Sequence, residues 1–129
     1  MTQLSFDDYT LPLEAVVKAE REARTPETIL DAFTEWVERN PNAMRAMYRK
    51  AIDLAYRGKR VSAKYLVEWL RYDADVSLSP NKEADWKVPN EFTPLVARYL
   101  VRRNQGLEAH FEMKPSAFDK LELPKIGEW

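Results

Sequence analysis

The feature that most restricts how this chain can fold is a helical stripe that stops at a glycine and begins again four residues on. Met44, Met47, Tyr48, Ala51, Ile52, Ala55 and Tyr56 recur at helical spacing, and Arg45, Arg49, Lys50 and Arg57 occupy the other faces. Gly58 can take positive φ and end that helix, and Ser62 can cap the next. In the second helix Leu66, Trp69 and Leu70 point inward with Tyr65 at their edge. Lys64, Glu68 and Arg71 share its solvent side at pairing distance. Two amphipathic helices joined by the basic turn Arg57-Gly58-Lys59-Arg60 read as a helix-turn-helix module.

Further helices are marked by caps and prolines. Residues 1–10 read as a flexible arm, and Pro12–Arg24 as a short helix with Leu13, Val16 and Val17 on one stripe. Thr25-Pro26 starts a helix whose inner face is Ile29, Phe33, Trp36 and Val37, and Asn40-Pro41 repeats the signal. Residues 73–90 form an acidic loop with a turn at Ser79-Pro80-Asn81. Asn90 or Thr93 then caps a helix with the face Phe92, Leu95, Val96, Tyr99 and Leu100, closed by Gln105-Gly106. Trp86-Lys87-Val88 and Ala109–Lys114 are expected to pair as two short strands. The expected fold is therefore mainly α with a two-stranded β ribbon, a winged-helix-like variant spanning residues 11–114. The tail 115–129 carries Phe118, Leu121, Leu123, Ile126 and Trp129 and should be partly docked.

Composition narrows the function classes. Without cysteine there are no disulfides, thiolate metal sites or cysteine nucleophiles, which suits a reducing compartment. No apolar run reaches the ~18 residues of a membrane span, and Met1 to Tyr9 lacks the pattern of a signal peptide, so the expectation is a cytoplasmic protein with no membrane role. Net charge is −1, but it is unevenly spread. Met1–Asn40 holds four basic against nine acidic residues, whereas Pro41–Tyr72 holds eight against two. A local surplus of that kind is felt within about 8 Å at physiological salt, whatever the total.

With the helices placed, the ordered elements Asn40-Pro41, Gly58-Lys59-Arg60-x-Ser62, Leu70-Arg71, Pro89-Asn90-x-Phe92, Ala97-Arg98 and Phe111-Glu112 form a pattern. It resembles that of a widespread group of small proteins encoded by bacteriophages and prophages, over roughly Phe33 to Lys114. Pro89-Asn90 stands where the group has Asn-Asn, and the group's closing arginine after Glu112 is missing. The resemblance implies a phage-derived origin in a bacterial host cell and supplies no activity.

Four sets of residues are candidates for function. Arg57, Lys59, Arg60 and Lys64, with Arg98, Arg102 and Arg103, have the chemistry to hold duplex DNA phosphates, against the alternative of solvated faces paired with the N-terminal acids. Gln3-Leu4-Ser5-Phe6, with Tyr9, resembles the peptides that bacterial replication and repair proteins insert into the sliding clamp. Asp7 stands where the second apolar residue belongs, and packing of Phe6 and Tyr9 on their own domain is the commoner outcome. Asp75 and Asp85-x-Lys87 have the residue types of a metal-dependent nuclease, but three common residues in an acidic loop carry little weight. His110 is the sole histidine, which leaves no histidine metal cluster. The tryptophans and tyrosines could stack on bases, yet Trp36, Trp69 and Tyr99 sit at core spacing, while Trp86 and Trp129 lie outside the stripes.

The leading expectation is a non-enzymatic, phage-type regulator that binds duplex DNA, with no metal and no cofactor. The alternative is a phage factor that grips a host protein, such as a sliding clamp, a defence component or the transcription machinery, through the acidic helices, the arm or the tail with Trp129. The oligomeric state stays open.

Overall fold

A computed structural model describes Leu13, residues 24–72 and residues 88–129. Readings that fall on the arm, the first short helix and the acidic loop lie outside the described residues. These include Gln3, Leu4, Phe6, Tyr9, Asp75, Asp85, Trp86 and Lys87.

The described chain is mainly helical: α1 (Pro26–Arg39), α2 (Pro41–Tyr56), α3 (Ala63–Tyr72) and α4 (Thr93–Arg103), with 3-10 turns at Asn90–Phe92, Gln105–His110 and Ala117–Lys120. Local chemistry sets most of the boundaries. Thr25 and Thr28 form a capping box in which Thr28 N donates to Thr25 Oγ1 at 3.2 Å and Thr25 N to Thr28 Oγ1 at 3.0 Å, with Pro26 in the first turn. Gly58 sits at φ 75°, its N–H donating to Ala55 O and that of Lys59 to Leu54 O, which satisfies the last carbonyls of α2. Ser62 Oγ accepts from Tyr65 N at 3.2 Å and starts α3.

Two expected caps are not side-chain caps. Asn40 is buried and its Nδ2 donates to Trp36 O at 3.0 Å, so the amide closes α1 rather than opening α2. The N-terminus of α4 has Phe92 at the cap position with no side-chain bond, and Thr93 is already helical. Pro94 in its first turn needs no amide partner, and the preceding 3-10 turn leads the chain in.

The core joins all four helices. Phe33 is fully buried, with Phe92 edge-on at 5.3 Å and Tyr99 at 5.4 Å between ring centroids, so one aromatic knot ties α1 to α4. Met44 and Met47 of α2, Leu66 and Leu70 of α3, Leu95 and Leu100 of α4, and Leu107 complete it. The inner face of α1 is rotated slightly from expectation, Leu30 being buried where Ile29 is only half-buried. Tyr56, placed on the inner stripe by spacing, is the last residue of α2 and is 90% exposed.

No strand occurs among the described residues, so the expected strand over Ala109–Lys114 is corrected. Ala109 and His110 finish a 3-10 turn whose Leu107 is buried, and only Phe111 makes a β contact. That contact is a single parallel bridge to Val61, with Val61 N donating to His110 O at 2.8 Å. The alternation of Ala109–Lys114 reflects one side chain, Phe111, entering the core beside Val61 rather than a ladder. No helix among the described residues is long and apolar enough to cross a membrane.

Candidate nucleic-acid interface

The seven basic residues singled out by sequence divide into two groups of different character. In the first, the α2–α3 turn holds Lys59 and Arg60 out in solvent, and the first turn of α3 does the same for Lys64. Arg60 meets Glu112 at 2.8 Å, with both side chains about 70% exposed. Such a pair contributes roughly 0–1 kcal/mol and yields readily to a competing anion. Lys59 and Lys64 have no ion-pair partner among the described residues. Arg57 pairs with Asp53 one helical turn earlier. That contact holds the Asp53 carboxyl below its usual range and raises the guanidinium above its own.

The second group, on α4, grips the tail. Arg98 is only 11% exposed in its side chain and donates to Asp119 Oδ1 at 2.6 Å, Lys114 O at 2.8 Å and Pro94 O at 2.9 Å. Asp119 also accepts from Ser116 N at 2.9 Å, and the two contacts, Arg98's first, lower its carboxyl to about 2. Arg102 donates to Leu123 O at 2.6 Å, and Tyr99 OH donates to Pro124 O at 2.6 Å. Burial raises the Tyr99 phenol above its ordinary range. Arg103 lies against two rings at once, 4.3 Å from that of Tyr48 and 5.0 Å from that of Trp129, and donates to Trp129 O. Trp129 therefore packs edge-on against Tyr48 at 6.2 Å. The end of the chain is fastened to α4 by the arginines that sequence reasoning assigned to phosphates.

The two groups meet in one place. A groove of about 570 Å³ runs between the start of α3, the start of α4 and the segment after Phe111. Arg60, Ser62, Lys64, Arg98, Lys114 and Ser116 line it, with Glu112 as the acid on its wall. Arg98 thus reaches the same face as the basic turn, although its donors are engaged within the protein, whereas Arg102 and Arg103 line a separate hollow with Lys125 and Trp129. None of the ion pairs of Arg57, Arg60 or Arg98 draws on the acids of residues 24–40.

Lys114 was not singled out by sequence. It comes to the groove from a segment distant in the chain, and its only local signal is the proline after it, which favours extended backbone. No cluster of acidic or histidine side chains suited to a metal ion occurs among the described residues. His110 is half-exposed, its carbonyl serving the Val61 bridge. Comparison with protein-family models, with curated proteins and with solved structures finds no match to this chain.

Proposed function

We propose that this protein is a small, non-enzymatic, phage-type regulator that holds the phosphate backbone of duplex DNA at the end of the molecule where the α2–α3 turn, the start of α3 and Lys114 converge. The observation that carries this reading is the groove itself. Arg60 and Lys64 from one part of the chain and Lys114 from another surround it, all exposed, with one weakly held acid between them. Lysine and arginine side chains lining one concave, solvent-open surface suit a row of phosphate oxygens. In this reading α3 is the helix laid toward the duplex, as in a winged-helix variant whose wing is reduced to the Val61–Phe111 bridge.

Salt dependence tests it. Lys59, Arg60, Lys64 and Lys114 would neutralise about four phosphates, so the slope of log affinity against log salt should be about −3 to −4. Changing Lys59, Arg60 and Lys64 to alanine together should flatten that slope by about 2 to 3 with little change in thermal midpoint, because all three are exposed. Duplex affinity without salt dependence, or no retention of duplex at about 0.1 M salt, would refute the reading.

A further inference from the structure

Three tyrosines of the α2–α3 pair stand out in water: Tyr56 is 90% exposed, Tyr72 74% and Tyr65 46%. Together with Leu13 they are the large apolar side chains left exposed among the described residues. Two of the three share a helix face. Tyr65 and Tyr72 are seven positions apart on α3 and so lie on one stripe, about 10 Å along the axis. Tyr56 ends α2 beside Arg57, whose charge is within electrostatic reach of the Tyr65 phenol. Trp69, one turn on from Tyr65, has Lys50 of α2 5.5 Å over its ring.

Tyr56 also borders a hollow of about 480 Å³ that it shares with Tyr48, Arg49, Ile52, Asp53 and Asn104. The hollow has aromatic and aliphatic walls and one arginine at its rim, while Asn104 is held by Tyr48 OH and Gly106 N and Asp53 by Arg57. That is the mixture by which a concave site takes a flat heteroaromatic ring.

We propose that the outer face of α2 and α3 is a stacking platform for an unpaired stretch of DNA, entered from the basic turn. This rests on the reading that the turn holds phosphates. It adds that the ligand presents splayed bases as well as a backbone. Charge selects the occupant. The acids on this face, Asp53 and Glu68, are already matched by Arg57 and Arg71, while Arg49, Lys59 and Lys64 carry no ion pair among the described residues. Exposed rings on elements that also carry unmatched cations suit a polyanion with π-faces better than an apolar protein surface.

The test measures fluorescence anisotropy of the full chain with two labelled probes: oligo(dT) of about 16 nucleotides, and a blunt duplex of the same length. Both should bind. The variant Y56A/Y65A/Y72A should weaken oligo(dT) at least tenfold and the duplex less than about twofold, while Y56F/Y65F/Y72F, which keeps the rings, should bind oligo(dT) as the parent does. Circular dichroism establishes that both variants fold.

Several results overturn the inference while the duplex reading stands. One is a parent that holds duplex and ignores oligo(dT); another is an alanine variant that weakens both probes equally. A third is an alanine variant that loses self-association, seen by sedimentation, with its oligo(dT) affinity unchanged; the face is then a protein contact. If neither probe binds, the phosphate reading fails and takes this inference with it.

Discussion

At the scale of single residues the side chain with most to lose is Arg98. It holds three acceptors from different parts of the chain, Asp119, Lys114 O and Pro94 O, while itself mostly covered. Replacing it with methionine keeps the aliphatic stem and strands those acceptors, and should cost about 1–3 kcal/mol in chemical denaturation. Asp119 gives the same contact a pH signature. Its carboxyl lies lower in the folded chain, about 2, than in the unfolded chain, about 3.9. Its contribution is therefore complete above the unfolded value and disappears as pH falls through the folded one. Tail docking, followed by the fluorescence of Trp129 after Trp36, Trp69 and Trp86 are changed to phenylalanine, should hold at pH 5 and loosen between about 4 and 2. Asp119→Asn should remove that limb of the profile. Tyr99 acts at the opposite extreme: its phenol is raised by burial, so its O–H stays available to Pro124 O until pH has climbed past the ordinary tyrosine range.

At the scale of elements, what the sequence disclosed was whatever neighbouring residues decide among themselves. Thr25, Gly58 and Ser62 act within one turn of chain, and each does what its type and position imply. Gly58 offers a clean check. It sits at φ 75° with open space where a Cβ would project, so Gly58→Ala meets no clash and costs only backbone strain, about 1–2 kcal/mol by urea denaturation, with α3 otherwise intact. Asn40 misled because an asparagine before a proline is a cap only when its side chain is free to turn back, and here burial aims it at Trp36 O. Ala109–Lys114 misled for a related reason. Alternation marks which side chains are buried, and a single buried Phe111 produces it as well as a strand does. Neither the partner of Phe111 nor the docking of the tail is written locally, since Val61 and the α4 arginines are remote in sequence.

At the scale of the whole molecule, the same distinction decides how the charge is used. Counted along the chain, Arg98, Arg102 and Arg103 are as available to a polyanion as Lys59, Arg60 and Lys64. Folded, the α4 trio spends its donors on Asp119, on the carbonyls of Lys114, Leu123 and Pro124, and on Trp129, whereas the turn trio has, among the described residues, only the loosely held Glu112 as an ion-pair partner. A cation already bonded within its own protein releases no counterion when DNA arrives, because engaging a phosphate would first require breaking those bonds. Two sets of substitutions should therefore separate cleanly. Arg102→Ala with Arg103→Ala should lower the thermal midpoint and shift Trp129 emission toward that of exposed indole, yet leave the log–log salt slope for duplex within about 0.5 of the parent. Lys59→Ala with Lys64→Ala should leave midpoint and emission unchanged and flatten the slope by about 2. A slope that falls with the α4 pair as much as with the turn pair would mean that the tail lifts off when DNA binds and that its arginines are shared between the two ligands. A slope indifferent to both pairs would remove the polyanion from this end of the molecule altogether.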